Sequence, residues 1–98
     1  MFPIQSTPTS RSRIRSSISI IVYGTSWCTA SQGVRRYMDR LGLHYIYRDL
    51  EHDLDAARRV QWWTGGTINH PTLRIGGQIL VEPSLNELDR ALSRVGIL

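Results

Sequence analysis

The 98 residues, 41% of them apolar and 20% charged, supply one domain's worth of material with the balance of an ordinary folded chain, neither disordered throughout nor membrane-bound. No apolar run approaches the roughly 20 residues that span a bilayer, which excludes a transmembrane helix. A single cysteine excludes an internal disulfide, and with three histidines it forms no Cys/His metal cage of familiar spacing.

The net charge of +4 suggests nucleic acid only until the charges are placed along the chain. Arg11, Arg13 and Arg15 lie in an acid-free opening; of the twelve cations nine then remain against eight carboxylates, a net of +1. The foldable part is close to neutral, which removes the case for a nucleic-acid partner. Every cation is an arginine, so a charge that stabilises an anion here comes from a guanidinium or a backbone dipole.

Residues 1–16 (MFPIQSTPTSRSRIRS) hold too few apolar side chains to bury and read as a flexible arm ahead of a domain over residues 17–98. A disordered, vector-derived or misassigned start outweighs an organelle transit peptide or a phosphate-binding arm, and the missing apolar stretch speaks against a secretory signal. Ile18, Ile20, Ile21, Val22 and Tyr23 then form a β-branched and aromatic run, a strand buried on both faces and ended by Gly24. From Thr29 to Leu41 the apolar positions Ala30, Val34, Tyr37, Met38 and Leu41 keep helical spacing, and Gly42 supplies the stop. His44 to Leu50 reads as a second strand. Asp53 caps a helix through Ala56, Val60 and Trp63 that Gly65 and Gly66 terminate.

Thr72–Ile75 and Gln78–Val81 are two short strands joined by Gly76 and Gly77, a linker that favours a tight hairpin. Ser84 with Glu87 makes an S-x-x-E capping box before a closing helix whose buried face carries Leu85, Leu88, Leu92 and Val95. The order is β-α-β-α-β-β-α, with the first two strands parallel across their helical crossover.

Cys28 falls between the first strand and the first helix, where unpaired N–H groups and the positive end of the helix dipole favour a thiolate over a thiol. A small buried core residue is the alternative for a free cysteine. The junction position beside Trp27, away from any apolar stripe, favours the reactive reading. Trp62 and Trp63 are about 100° apart on their helix, so one packs and the other faces solvent. Asp49, Glu51, Asp53 and Asp55 read as a solvated rim and helix start rather than a metal site.

Cys28-Thr29-Ala30-Ser31 at the head of the first helix, Asn69-His70-Pro71-Thr72 before a strand, and the order of elements resemble the glutaredoxin family of the thioredoxin fold. The resemblance covers about residues 18–95. The Thr25-Ser26-Trp27-Cys28 segment, Asp49-Leu50-Glu51-His52, Thr64-Gly65-Gly66 and Glu82-Pro83-Ser84 are most similar to the mycoredoxins and glutaredoxin-like redoxins. It implies an α/β thioredoxin-like fold, a four-stranded mixed sheet with helices on both faces. It also implies a cytoplasmic thiol-disulfide oxidoreductase serving cell redox homeostasis, without a bound cofactor, and for a chain of this size a monomer is the default. Its partners are then a low-molecular-weight thiol (glutathione, mycothiol or bacillithiol) and the proteins that carry it as a mixed disulfide.

The family pattern C-x-x-C has Ser31 in place of its second cysteine, and a hydroxyl cannot resolve a mixed disulfide. A monothiol route through Cys28 follows, with Ser31 one helical turn on and able to donate a hydrogen bond to the sulfur. Ser31 is either native or an engineered replacement. The resemblance makes Pro71 a cis proline and gives the His70 backbone to an extended thiol substrate. His70 stands where the family often has a small apolar residue; protonated it favours the thiolate, neutral it is a polar lip on the groove. Trp27 walls that groove, Thr29 and Ala30 complete the active segment, and the N–H groups after Ser84, at Leu85, offer a carboxylate a seat. The glycine pair that holds glutathione in relatives is absent from Val81-Glu82-Pro83-Ser84-Leu85, and Thr25 stands in place of a lysine. Two other functions compete: an iron–sulfur carrier bridging two copies through Cys28, whose relatives carry C-G-F-S, and a non-catalytic thioredoxin-like adaptor.

Overall fold

A computed structural model describes residues 18–98, so the arm predicted over residues 1–16 lies outside the described residues. The elements are β1 (Ile20–Gly24), α1 (Thr29–Arg40), β2 (Ile46–Asp49), α2 (Leu54–Thr64), β3 (Thr72–Ile75), β4 (Gln78–Val81) and α3 (Leu85–Arg94). The four strands form one mixed sheet in the order β2-β1-β3-β4. β1 runs parallel to β2 and antiparallel to β3, and β3 pairs antiparallel with β4. The fold is the α/β thioredoxin-like arrangement expected from the order of elements.

Two predicted strands are shorter than their apolar runs, and pairing is the reason. The β1–β3 ladder starts at Ile20 opposite Ile75, the last residue before the Gly76–Gly77 turn, so Ile18 has no strand beside it. On the other edge, Ile46 meets Ile21 as the first parallel pair, leaving His44 and Tyr45 ahead of the ladder. The hairpin Thr72–Ile75 to Gln78–Val81 has the predicted bounds, with Gly76 at φ +60°. That left-handed conformation is open to glycine at little cost.

Both layers of core follow from β1, which is central and hydrogen-bonded on both sides. Ile20 and Val22 pack with Leu73 and Ile75 against Val34 and Met38 of α1 and Leu88, Ala91 and Leu92 of α3. Tyr23 packs on the opposite face with Leu50 and with Ala56, Ala57 and Val60 of α2. Helices therefore cover both faces, α1 and α3 on one and α2 on the other. α2 starts where the Asp53 carboxylate accepts the Ala56 N–H at 3.0 Å and stops at Gly65, φ +82°. The predicted capping box of α3 is formed, Glu87 N–H to Ser84 Oγ at 3.1 Å and Ser84 N–H to Glu87 Oε1 at 2.8 Å.

Two side chains assigned to apolar stripes are exposed. Ala30 faces solvent and the neighbouring Ser31 is buried, so the inward row of α1 is Ser31, Val34 and Met38. Leu85 is exposed as well, because it opens α3 one turn before the helix reaches the sheet at Leu88. The shift in α1 traces to Gly24: a Cβ there would lie 2.7 Å from Ser31 Oγ and 2.8 Å from Ser31 Cβ. Only a glycine in β1 lets the first turn of α1 come this close.

Gly24→Ala is expected to destabilise the fold by about 1–3 kcal/mol, since both contacting groups are buried and neither can swing away. Thermal denaturation measures it, and an unchanged midpoint would contradict the contact.

Candidate functional site

The site is assembled where β1 gives way to α1. After Gly24 the chain turns, with the Cys28 N–H donating to the Thr25 carbonyl at 3.3 Å, and the helix begins at Thr29. Cys28 is thereby the N-cap, extended at φ −84° and ψ 117°, and its side chain makes no capping hydrogen bond. Its carbonyl accepts the first helical bond, from the Gln32 N–H at 3.1 Å. Gln32 also ties the turn down, donating from Nε2 to the Thr25 carbonyl at 3.0 Å.

Beneath the sulfur lies Ser31, fully buried. Its Oγ accepts the Thr25 N–H at 3.4 Å, which leaves the hydroxyl proton for the sulfur. Across the turn, the Cys28 thiol donates to the His70 carbonyl at an Sγ···O distance of 3.9 Å. The His70–Pro71 peptide is cis. The indole of Trp27, 64% exposed, meets the His70 ring edge to face with centroids 5.0 Å apart.

These neighbours set the ionisation of Cys28. Burial pushes the thiol upward, but the donors around the sulfur, the Ser31 hydroxyl and N–H, the His70 side chain and the Ala30 N–H, favour the thiolate and outweigh it, lowering the thiol from 9.0 to about 7. Near neutral pH the sulfur is then a thiolate in large part, the form that attacks disulfides. The His70 Nδ1 is buried with no hydrogen-bond partner among the described residues.

A glutaredoxin family profile matches residues 20–80, which includes the Cys28 turn, the His70–Pro71 loop and most of the sheet. The chain belongs to the glutaredoxin family. No curated protein sequence matches the chain significantly. Among solved structures, a buckwheat glutaredoxin in complex with glutathione superimposes with a TM-score of 0.62 at 20% identity, covering 92% of this chain and 90% of that one. A glutaredoxin from Archaeoglobus fulgidus gives 0.67 at 13% identity, covering 82% of this chain and 91% of its own. The thioredoxin-like protein BC3987 gives 0.69 at 22% identity, covering 76% of this chain and all of its own, 100%.

Within this glutaredoxin fold the structure brings together Cys28, Ser31, Trp27, His70 and Pro71, while Thr29 and Ala30 open α1 beside the sulfur with their side chains exposed. Ser84 and Leu85 stand apart, at the start of α3. The Ser84 hydroxyl serves the capping box, and the segment reaches the site through the Glu82 N–H, which donates to the Pro71 carbonyl at 2.8 Å. The reading of the sequence missed Gln32, Asn69 and Glu82. None carries a local signal: Asn69 and Glu82 are thirteen residues apart and meet only when the β3–β4 hairpin folds back.

The remaining candidates have ordinary structural work. Asp49 accepts the Glu51 N–H at 2.9 Å and pairs with His52 at 2.7 Å, while Asp53 caps α2. Trp63 packs edge to face on Tyr23 and Trp62 is 84% exposed, the expected division between adjacent helical positions.

The rate of Cys28 alkylation by iodoacetamide is expected to rise with pH to half its maximum near pH 7. Ser31→Ala should move that midpoint upward, toward the ordinary 9.0, because a donor to the thiolate is lost while burial is unchanged. A variant that titrates like the parent would remove Ser31 from the account.

Proposed function

We propose that the protein is a monothiol thiol-disulfide oxidoreductase of glutaredoxin type, acting on mixed disulfides between proteins and a low-molecular-weight thiol. The observation that carries this reading is the accessible, N-capping Cys28, poised near pH 7 with Ser31 and not a second thiol at the resolving position. The Cys28 thiolate attacks the small-thiol sulfur of the mixed disulfide. That S–S bond breaks, the protein leaves as a thiolate that takes a proton from water, and the small thiol stays on Cys28 as a new disulfide. A second small-thiol thiolate attacks the same small-thiol sulfur, leaving as the symmetrical disulfide and returning Cys28 as a thiolate. In sum one small thiol is oxidised, one protein thiol is released and the number of S–S bonds is unchanged, so the electrons balance.

Ser31 in this scheme is a positioning donor that keeps the attacking and leaving Cys28 sulfur ionised. Trp27, Thr29, Ala30, His70 and Pro71 line the place of the incoming disulfide, with the backbone of His70 open to an extended substrate. Ser84 and Leu85 receive the far end of the small thiol. The Glu87 carboxylate already lies at that helix start, bonded to the Ser84 N–H, and opposes a second carboxylate there. This, with the missing glycine pair, favours mycothiol, a thiol without a carboxylate, over glutathione or bacillithiol. The glutathione bound to the buckwheat relative supports the opposite choice. The reaction suits the cytoplasm and a monomer of residues 17–98; no helix among the described residues is long and apolar enough to cross a membrane.

Mass spectrometry after incubation with mixed disulfides of glutathione, mycothiol and bacillithiol is expected to find one small-thiol adduct on Cys28, and none on Cys28→Ser. Failure of all three to label Cys28 would sink the reading. A brown protein on anaerobic purification would instead point to cluster binding.

A further inference from the structure

Glu82, at the end of β4, is the single non-glycine residue at positive φ among the described residues, at +50°. Every other such position there, residues 42, 65, 66, 76 and 96, is a glycine. A left-handed non-glycine residue carries a conformational cost that persists only where its surroundings hold it. Burial is not what holds Glu82, because the residue is exposed.

Its hydrogen bonds supply the reason. The Glu82 N–H donates to the Pro71 carbonyl at 2.8 Å, and its Oε2 accepts from Asn69 Nδ2 at 2.6 Å. The Asn69 amide is itself fixed, its Oδ1 accepting the Thr67 hydroxyl, while the Asn69 backbone carbonyl accepts the Thr72 hydroxyl at 2.8 Å. Glu82 thus takes hold of the residues on either side of His70, one through a side chain and one through the backbone. His70 lies between them and faces the Cys28 sulfur. A glycine would adopt the same backbone more cheaply and keep the Pro71 bond, so what the glutamate adds is the Asn69 bond.

We propose that Glu82 is a positioning residue for the thiol chemistry: together with Asn69 it clamps the loop over residues 69–71 and holds His70 against the Cys28 sulfur. The inference rests on the oxidoreductase reading above and names a residue pair that reading does not use. Its signature is distinctive: Glu82→Gln removes the charge and keeps an acceptor for Asn69, whereas Asn69→Ala keeps the charge and releases the loop that carries the His70 carbonyl, so charge and clamp act in different variants.

The test measures iodoacetamide alkylation of Cys28 against pH, beside thermal denaturation, in the full chain and in Glu82→Gly, Glu82→Gln, Asn69→Ala and the double variant Asn69→Ala with Glu82→Gly. Glu82→Gly is expected to melt no lower than the parent, since it relieves the backbone, yet to change the alkylation rate at pH 7 roughly three- to tenfold with a displaced midpoint. Asn69→Ala should match it, the double variant should be no worse than either single, and Glu82→Gln, which keeps an acceptor for Asn69, should stay near the parent. A Glu82→Gly midpoint that is unchanged overturns the clamp, as do additive single effects or a Glu82→Gln that behaves like Glu82→Gly. A parent protein that itself titrates like free cysteine overturns the oxidoreductase reading and the clamp together; a parent near pH 7 with indifferent variants overturns the clamp alone.

Discussion

Ser31 is wedged between Gly24 and the Thr25 N–H, so the first turn of α1 is pressed onto the end of β1 with no side chain between them. This contact decides where the helix starts, and therefore that Cys28 is its N-cap rather than a residue of its first turn. An N-cap sulfur meets the free N–H groups of Ala30 and Ser31 instead of competing with helical carbonyls. The same contact aims the Ser31 hydroxyl, whose oxygen is already engaged by Thr25, at the sulfur. A bulkier residue at position 24 would lift the helix off and disperse all of these donors at once.

The stabilisation of the thiolate owes nothing to a guanidinium. Although all twelve cations of the chain are arginines, no guanidinium is among the groups that lower Cys28. Arg35, on the same helix, is spent elsewhere, bonded to the Tyr45 hydroxyl at 3.4 Å and stacked over the Tyr47 ring at 3.9 Å. Short hydrogen bonds from fixed donors act over one or two bond lengths and are little screened by salt, unlike the field of an exposed charge. Beside the sulfur the structure sets the Trp27 indole and the His70 imidazole rather than a guanidinium.

Much of the fold was legible along the chain. The capping box at Ser84 and Glu87, the Asp53 cap, the Gly76–Gly77 hairpin and the helical spacing of Val34 and Met38 are local signals, written within a few residues of where they act. The errors were of one kind. Ile18 and His44 belong to runs that strand propensity extends, but a strand ends where its partner ends, and the partners lie about 55 and 25 residues away. Ala30 and Leu85 suit a buried stripe by spacing alone; which of them is covered depends on how closely each helix end approaches the sheet.

The sequence by itself determined the order of elements, the lone nucleophile at a strand–helix junction and the absence of a second thiol, because each is a property of residue type and short-range spacing. Only the tertiary structure decided what surrounds that sulfur. His70 reaches it across 42 residues, in a loop tied by Asn69 and Glu82, through the antiparallel pairing of β3 with β1 and of β4 with β3. No periodicity in the chain encodes such a meeting; it exists once strand register sets which loop of the hairpin sheet stands opposite the start of α1.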